Sequence, residues 1–571
     1  MASLATKKIR GHTYYYAREC KRVNGKPKIV WQKYLGRADD IVAALSRDTQ
    51  ASPVIPPESA SVTDFAAVVS LYDLAQRLKL ADCIDRHVPK RGAGPSVGTY
   101  LLVATLNRCL APCSKASIEQ WFQTTALRRL LNLRPEQLSS QRFWDNMDRV
   151  SHEALQHIEA DLVTHLVREF AIDVRRLLFD ATNFFTYIDS FNQRTTLAQR
   201  GKSKEGRAAL RIVGLALLVT TDFHLPLLHR TYPGNRADSP TFSSLTRELI
   251  DRCKVLTGEA SSVTLVFDKG NNSKENLQAV AASPLHFIGS LVPTQHRDLL
   301  SLPDSQFCSL AAEGLPGVRV VRTEKKIFGV SRTVLVVYNE ALFEAQTQTL
   351  LREIAKRQQQ LQELQQRLDA WAGNPAPAGK PPTLAGAQKK IAAWLAARHM
   401  KELFHIDLTE VERLPVLRYS FNTQAWENLQ RTLLGKTLLF TDLAEWSDAE
   451  IVRGYRSQAH IEQAFRTLKD PQHIALRPQY HWTDQKIEVH VFCCVLALML
   501  VSLLQRELDR AGLRGSIPEI LYELGRVREI TMLYPSGQPG NPPTLHTTLS
   551  EMNERQRELF AALGLDRYRA P

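Results

Sequence analysis

The sequence predicts a mixed α/β protein in which a mixed sheet is flanked by helices, and three observations support this class. Apolar residues recur with helical spacing from residue 62 to about residue 172. Beyond that point they switch to the two-residue period that is typical of strands. The order of elements over residues 173–295 then reads strand, strand, strand, helix, strand, helix, strand. Strands interleaved with helices in this way favour a sheet covered by helices.

The chain is long and basic. Its 571 residues are too many for one hydrophobic core, so we expect three to five compact units. The formal net charge is +14 and the pI is about 9.4, which suits a polyanionic partner better than an acidic protein or a small cation. Residues 1–37 hold ten Lys or Arg against one acid, Glu19, so much of this charge is local.

Cysteine usage and hydropathy indicate the cellular compartment of the protein. The eight cysteines are scattered without a CxxC pair, which predicts reduced thiols and no structural zinc. The N-terminus lacks the apolar core of a signal peptide. The longest apolar run, residues 491–504, is shorter than the roughly 20 residues that cross a bilayer, and it predicts a buried core helix. We therefore expect a cytoplasmic protein that does not enter a membrane.

Changes in pattern along the chain predict six segments. They are a basic β-hairpin with a linker (1–61), a helical N-terminal domain (62–172), the first part of the core (173–295), an insertion (296–445), the second part of the core (446–512) and a C-terminal segment (513–571).

The N-terminal hairpin consists of two β-rich runs around Asn24-Gly25, a strong turn signal. Its basic and aromatic residues could lie along a nucleic-acid backbone. A small solvated hairpin explains the same pattern equally well. The stretch "ASPVIPPESAS" at 51–61 predicts the linker that follows.

The insertion combines strand-like runs with a helical hairpin. "GVRVVRT" and "TVLVVYN" have strand character, and a long helix is expected from about 341 to 371. That helix carries a heptad seam of apolar residues, and "GNPAPAGKPP" turns the chain into a second helix. The seam could pack within the chain or bind a partner as a coiled coil.

Two predicted strands of the core each end on an aspartate. "VRRLLFD" (174–180) ends at Asp180 and "SSVTLVFD" (261–268) ends at Asp268. In a mixed sheet of this order the first strand lies centrally and the fourth pairs beside it. Both carboxylates are therefore expected at one end of the sheet, although an acid at a strand end is often only a cap.

A helix near residue 460 is expected to bring a third carboxylate. Ser447 and Glu450 form a capping box at its start, and Asp470-Pro471 ends it. Tyr455, Glu462 and Lys469 are seven residues apart and should project from one face. Glu462 borders the apolar stripe, where a carboxylate is costly unless a positive group meets it, so we expect it to face inward.

Three carboxylates at one point would repel one another unless cations join them. Divalent ions that prefer oxygen ligands, Mg²⁺ above all, are the natural occupants of a site made by Asp180, Asp268 and Glu462. A pair of ions about 3.5–4 Å apart would activate the attacking oxygen and stabilise the leaving oxygen at a phosphodiester.

At this point the residues resemble a known family. Asp180, Asp268 and Glu462 on a ribonuclease-H-like strand order are similar to the DDE transposases of bacterial insertion sequences, in the branch with a large insert between the second Asp and the Glu. Ordered blocks such as "YPGNRADSPTF", "VFDKGNNSKENL" and "YRSQAHIEQAFRTLK" extend the resemblance over nearly the whole chain.

The resemblance implies an enzyme that binds the terminal inverted repeats of a mobile element as a homodimer in a synaptic complex. It implies cleavage at the element ends by two-metal-ion hydrolysis with Mg²⁺, for which Mn²⁺ would substitute. The 3′-hydroxyl ends would then be joined to double-stranded target DNA. The expected location is the bacterial cytoplasm, in association with the nucleoid.

The helix signature of this family is Tyr, two residues, Arg, three residues, Glu, six residues, Lys. Tyr455, Glu462 and Lys469 match at those spacings, but Gln458 occupies the arginine position. The resemblance implies that Tyr455 stacks on or hydrogen-bonds the cleaved strand and that Lys469 meets a phosphate.

Two further cations are candidate DNA contacts. Arg466, one turn beyond Glu462, could replace the charge that Gln458 does not supply. Lys269 directly follows the second aspartate, where arginine is common in the family, and it keeps the charge without the bidentate fork.

Two other functions compete with transposition. A DNA-binding regulator on the same scaffold would have lost catalysis, but all three acids are present. A plain nuclease of this fold would need neither the large insert nor the basic hairpin.

Overall fold

The computed structural model describes most of the chain. The described residues are 2–9, 11–23, 26–46, 56–90, 92, 94–207, 209–236, 238–257, 263–373, 379–477, 479–535 and 543–570. The predicted Asn24-Gly25 turn lies outside them, as do residues 51–55 of the expected linker and residues 374–378 of the turn in the helical hairpin.

By its internal contacts the chain divides into two units. One comprises Met1–Thr63, Glu529–Ser550 and Ala570–Pro571, and the other comprises Asp64–Arg528 and Glu551–Arg569. The six-segment division stays a prediction.

The N-terminal hairpin is part of a three-stranded antiparallel sheet in the order β1-β2-β3, because residues 2–9 add a strand that the sequence pattern did not indicate. A strand also begins inside the expected linker, at Ser59. The first elements are β1 (Ala2–Ile9), β2 (His12–Val23), β3 (Lys26–Arg37), α1 (Ala38–Ser46) and β4 (Ser59–Asp64).

In its described residues the predicted helical region contains seven α-helices. They are α2 (Ala66–Arg77), α3 (Leu80–His87), α4 (Val97–Leu110), α5 (Ile118–Gln123), α6 (Leu127–Leu131), α7 (Ser140–Met147) and α8 (His152–Glu169).

The first part of the core has the predicted order of elements, with one short extra strand, β6. The elements are β5 (Arg176–Phe185), β6 (Gln199–Arg200), β7 (Arg211–Thr220), β8 (Pro226–Pro233), α9 (Asp238–Thr257), β9 (Thr264–Phe267), α10 (Lys274–Ala281) and β10 (His286–Ser290).

The pairing of these strands confirms the mixed, ribonuclease-H-like sheet. β5 lies centrally, antiparallel to β7 on one side and parallel to β9 on the other. β8 pairs antiparallel with β7, and β10 pairs parallel with β9. The first and fourth strands of the predicted order are therefore neighbours.

The insertion extends this sheet. Its strands β12, β13 and β16 continue from the edge of β10, where β16 pairs antiparallel with β10 and β13 with β16, to give a ten-stranded sheet. The elements are α11 (Arg297–Leu300), β11 (Cys308–Ser309), β12 (Val318–Ile327), β13 (Val330–Asn339), α12 (Glu340–Ala372), α13 (Leu384–Leu395), α14 (Met400–Leu403), β14 (Phe404–Val411), β15 (Leu414–Phe421), α15 (Thr423–Thr432) and β16 (Lys436–Thr441).

The heptad seam of the long helix α12 packs within the chain. Ile354, Leu361, Leu364 and Leu368 are buried in one cluster with residues of α13 and of the β14–β15 hairpin. The structure thus favours self-packing over a partner-binding coiled coil, and it adds a hairpin that the sequence analysis did not predict.

The remaining elements close the core and complete the chain. They are α16 (Asp448–Arg456), α17 (Gln458–Lys469), α18 (Asp484–Arg510), α19 (Ile517–Gly525), β17 (Arg528–Tyr534), β18 (Thr544–Leu549) and α20 (Glu554–Ala562). Strands β17 and β18 form a second three-stranded sheet with β4.

The apolar run at 491–504 lies within α18, a core helix as predicted. In the part of the chain that the structure describes, this helix alone is long and apolar enough to cross a membrane. However, 94% of its most apolar window is buried inside the fold.

Candidate active site

Asp180 and Asp268 lie side by side because their strands are parallel neighbours. Phe179 of β5 pairs directly with Phe267 of β9, and the two aspartates are the next residue on each chain. Neighbouring strands lie about 4.8 Å apart, so the two aspartates occupy adjacent positions of the sheet. Both side chains are half-buried.

The strand that carries Asp180 is longer than predicted. β5 continues to Phe185, so Asp180 lies in its middle and not at its end. The reason is the pairing with β7, which extends from Leu177 to Phe185, whereas the pairing with β9 stops at Phe179. Asp180 therefore lies just past the end of the pairing with β9, where the pairing with β7 continues.

Asp268 is held by two hydroxyl groups. Ser290 Oγ donates to Asp268 Oδ1 at 2.8 Å, and the Tyr455 hydroxyl donates to the same oxygen at 3.2 Å. Ser290 is 2% exposed at the end of β10, and its carbonyl accepts a hydrogen bond from Asn272 Nδ2 at 2.6 Å. The loop after Asp268 is thus tied back to the neighbouring strand.

We expected Glu462 to face inward, but it does not. Its side chain is 67% exposed, and its carboxylate lies 3.8 Å from Arg466 NH2 on the same helix. Among the described residues no closer cation meets this carboxylate, so it keeps its hydration, which explains the outward orientation. The apolar stripe beside it is buried as predicted, at Ile461, Ala464, Phe465 and Leu468.

The predicted single helix is two helices. The Ser447–Glu450 capping box starts α16, and α17 ends at Lys469 before Asp470, both as predicted. Between them Ser457 interrupts the helix, with its hydroxyl donating to the Gly454 carbonyl. A serine that bonds the preceding turn in this way competes with regular helix hydrogen bonding.

Lys469 contacts the strand that carries Asp180. Its Nζ donates to Thr182 Oγ1 and to the Asn183 carbonyl, both at 2.8 Å, and lies 3.1 Å from Glu205 Oε1. Burial lowers the pKa of the Lys469 ammonium, and the carboxylate of Glu205 opposes that shift. No feature of the sequence indicated Thr182, Asn183 or Glu205 as its partners.

Tyr455 contacts the other aspartate strand. Burial raises the pKa of its hydroxyl, and the nearby carboxylates of Asp268 and Asp180 raise it further. The hydroxyl therefore stays protonated and serves as a hydrogen-bond donor. Ser290, which shares the same acceptor, is a second residue that the sequence analysis missed.

The other candidate DNA contacts differ in exposure. Lys269 is exposed in the turn after Asp268, and Arg466 is 74% exposed. Gln458 is half-buried, and its Nε2 is buried without a hydrogen-bond partner among the described residues.

A cavity of about 670 Å³ lies beside Asp268, and Lys269, Tyr455 and residues of α12 are among the residues that line it.

A basic loop covers the strand beyond Asp180. Lys204 Nζ donates to the Ala181 carbonyl at 2.6 Å, and Asn183 Oδ1 accepts from the Lys204 amide. Arg477 Nε lies 3.3 Å from the Glu205 carboxylate. The sequence alone did not indicate these contacts, because the packing of this loop against β5 is a tertiary contact.

The residues fit a divalent cation only in part. Asp180 and Asp268 offer carboxylate oxygens from adjacent strands, the donor type that Mg²⁺ prefers. In the described part of the chain no three His, Cys, Asp or Glu side chains come close enough to hold a metal together. The pair therefore fits a hard cation, and Glu462 would have to turn toward it.

Comparisons with known proteins identify the family of the chain. Residues 181–500, more than half of the chain, match a family described as transposase DDE domain. A cryo-EM structure of a piggyBac transposase synaptic complex with hairpin DNA is similar at a TM-score of 0.35 and 7% identity, covering 82% of each chain. A structural likeness at that level carries no argument about function. No curated protein matches the sequence.

Proposed function

The chain belongs to the transposase DDE domain family, and from that premise we propose that Asp180, Asp268 and Glu462 are its catalytic carboxylates. Family membership makes the protein a transposase, a metal-dependent enzyme that cleaves DNA and transfers strands. It also implies divalent ions and DNA as a partner. The in-register pair of Asp180 and Asp268 supports the residue assignment most directly.

The metal ions belong to the same proposal. Two divalent ions, Mg²⁺ or in its place Mn²⁺, held by the three carboxylates would activate the attacking oxygen and stabilise the leaving oxygen. Glu462 lies on α17, which contacts the strand of Asp180 through Lys469, and the preceding helix α16 contacts Asp268 through Tyr455. Its exposed carboxylate has a weak surface partner in Arg466, so turning inward costs little.

The proposed reaction has two steps, hydrolysis and strand transfer. At the element end a water oxygen bonds to phosphorus, the bond from phosphorus to the 3′-oxygen breaks, and the proton released by water ends on that 3′-oxygen. The new 3′-hydroxyl then attacks a target phosphorus. The 3′-oxygen of the target strand leaves with the proton, so the element end is joined to target DNA.

The substrate and assembly complete the proposal. The DNA ends are the terminal inverted repeats of a mobile element, and two copies of the chain hold them in a synaptic complex. The basic composition, with +14 formal charge, supports extended contact with DNA. The proposed location is the cytoplasm, in association with the nucleoid.

The test uses purified protein, cloned element ends and Mg²⁺, and it measures nicks that leave a 3′-hydroxyl on the element. Asp180→Asn, Asp268→Asn and Glu462→Gln should each abolish nicking while DNA binding in gel-shift assays stays nearly intact. Asp173→Asn is the matched control, because Asp173 precedes β5 and pairs with Arg175 at the surface.

The same assay separates the alternatives. Nicking near the wild-type rate by any one of the three variants shows that its assignment is wrong. A wild-type protein that binds the ends and never nicks them, with Mg²⁺ or Mn²⁺, is a DNA-binding regulator. Nicking without joining to target DNA identifies a plain nuclease.

A further inference from the structure

Four exposed aromatic side chains lie beyond the end of β5. Two of them are in the loop that follows β5 and two are in the loop that precedes α18. They are Tyr187, Phe191, Tyr480 and Trp482, with exposed fractions of 49%, 91%, 67% and 59%. Single exposed apolar residues are ordinary on a protein surface, whereas a contiguous patch of them marks an interaction site.

The two loops are joined, so their rings form one surface. Thr186 and Gln479 form a β-bridge, and the Tyr187 amide donates to the Gln479 carbonyl at 2.9 Å. The ring centres of Tyr187 and Tyr480 are 5.6 Å apart. In the next turn of both loops, the side-chain amide of one donates to the backbone of the other, from Asn192 Nδ2 to the Trp482 carbonyl at 3.3 Å. We call the four rings the aromatic platform.

The loop that carries Phe191 is fixed in place. Arg211 NH1 donates to the Asn192 carbonyl at 2.9 Å, and its NH2 donates to the Ser190 carbonyl. Asp189 Oδ1 accepts a hydrogen bond from the Phe191 amide at 2.7 Å. The phenyl ring is therefore held outward before any ligand arrives, and a preorganised side chain loses less freedom on binding.

The surroundings of the aromatic platform are cationic. Residues 186–207 hold five Lys or Arg against two acids, and residues 477–483 hold Arg477 and no acid. Of the two acids, Asp189 already accepts a hydrogen bond within its own loop, and Glu205 lies 3.3 Å from Arg477 Nε. A net positive surface favours a polyanion over a second copy of this basic chain.

Two guanidinium groups lie between the aromatic platform and the aspartate strand. Arg207 and Arg477 each lie 5.4 Å from the centre of the ring of Phe185, the last residue of β5. The ring of Phe185 is 5.5 Å from that of Tyr187. Phe185 follows Asp180 by five residues, about 16 Å along the strand at about 3.3 Å per residue. That distance equals about five steps of duplex DNA at about 3.4 Å each.

Exposed aromatic rings with cations beside them are typical of surfaces that bind a single nucleic-acid strand. In an undistorted duplex each base is covered by its neighbours, so a side-chain ring can stack only on an unpaired base. Such stacking contributes about 5- to 100-fold in affinity per base and accepts any base. The neighbouring cations bind the phosphates of the same strand.

We propose that the aromatic platform stacks unpaired bases of the DNA substrate, roughly five nucleotides from the cleaved phosphate, and that Arg200 and the guanidinium groups over Phe185 contact the backbone of that strand. Arg200 is exposed, and its NH2 lies 3.4 Å from Ser190 Oγ in the loop of Phe191. This inference rests on the proposed function only for the position of the cleaved phosphate at Asp180.

The test compares two fluorescein-labelled DNA duplexes of one sequence, one blunt and one with a short single-stranded thymine tail. Fluorescence anisotropy measures binding by the full-length protein in EDTA, which prevents cleavage. Wild type should bind the tailed duplex about tenfold more tightly than the blunt one. Phe191→Leu, Tyr480→Leu and Trp482→Leu should each reduce that preference about fivefold or more, because leucine is apolar but has no ring.

Matched variants separate stacking from general effects. Tyr480→Phe and Trp482→Phe keep a ring and should keep the preference for the tail. Tyr522→Leu is the control, because Tyr522 is 51% exposed on α19 and also has an arginine, Arg526, over its ring. The leucine variants should keep the salt slope of wild type, whereas Arg200→Gln should lower it by about 0.7. Circular dichroism and thermal melting check that each variant folds.

The outcomes are distinct. Equal affinity of wild type for the tailed and blunt duplexes overturns the inference, and so does an undiminished preference in all three folded leucine variants. Leucine variants that keep the preference but change the oligomeric state in analytical ultracentrifugation identify an interface between copies of the chain instead. If wild type never nicks element ends, the proposed function fails, while the anisotropy measurement in EDTA still decides this inference.

Discussion

The guanidinium of Arg466 lies 3.8 Å from the carboxylate of Glu462, four residues away on the same helix face. Both side chains are largely exposed, and surface pairs of this kind contribute only about 0.2–1 kcal/mol. The pair would therefore separate at small cost if Glu462 turned toward a metal, as proposed, and Arg466 met a phosphate. Arg466 stays the candidate for the charge that Gln458 lacks.

Arg466→Ala should weaken binding to element ends and lower the salt slope by about 0.9, since one phosphate contact is lost. Adding Gln458→Arg should restore part of the binding and nicking, because the two positions are eight residues apart, just over two turns. Gel-shift titrations over a range of salt concentrations measure both effects. Wild-type binding by Arg466→Ala would mean that this transposase makes one contact fewer.

Deleting residues 1–37 should weaken DNA binding and flatten its salt dependence. This stretch carries ten Lys or Arg against one acid, and its described residues form a separate three-stranded sheet. The expected loss is about 0.9 of slope per phosphate contact removed. A charge-neutralising variant, Lys7→Gln with Lys8→Gln and Lys28→Gln, tests the charge without removing the sheet. An unchanged slope in both proteins would favour the solvated-hairpin interpretation.

A buried ionic cluster links α8 to β8 and α9, and it predicts acid sensitivity. Glu159 is 4% exposed and contacts His229, Arg230 and Arg252. Burial alone would raise the pKa of Glu159, but His229 and the two arginines outweigh it and hold the pKa at about 2. Because this pKa is depressed on folding, the stabilising contribution is present above about pH 4.5 and is lost as the pH falls toward 2.

The depressed pKa of Glu159 corresponds to about 3 kcal/mol of stability at neutral pH, at about 1.4 kcal/mol per pKa unit. Glu159→Gln should lower the free energy of unfolding by about 3–5 kcal/mol, because it leaves buried cations without their carboxylate. It should also flatten the loss of stability between pH 4.5 and 2. Denaturant unfolding at several pH values measures both. Glu153→Gln, an exposed change on the same helix, should have little effect.

Ser447→Ala should destabilise the start of α16 by about 1 kcal/mol. The Ser447 hydroxyl accepts a hydrogen bond from the Glu450 amide, and the Glu450 carboxylate accepts from the Ser447 amide. Because α16 carries Tyr455, we expect the nicking rate to fall by more than the small loss of global stability would explain. Amide hydrogen exchange should show faster opening at residues 448–451, and unchanged exchange there would argue against the cap.

Local patterns in the sequence determined the order of the core elements, the Ser447 cap and the end of the helix before Asp470. These features depend on residues a few positions apart, through side-chain periodicity and turn chemistry. The strand order then brought Asp180 beside Asp268, because few sheet topologies accommodate such an order.

Only the tertiary structure decided how the site is built around those aspartates. The extension of β5 to Phe185 depends on β7, and the ten-stranded sheet depends on β16, which follows β10 by nearly 150 residues. The partners of Lys469 are more than 250 residues away in sequence, and those of Tyr455 more than 150. A single sequence carries no local signal for such contacts, because packing between distant segments creates them.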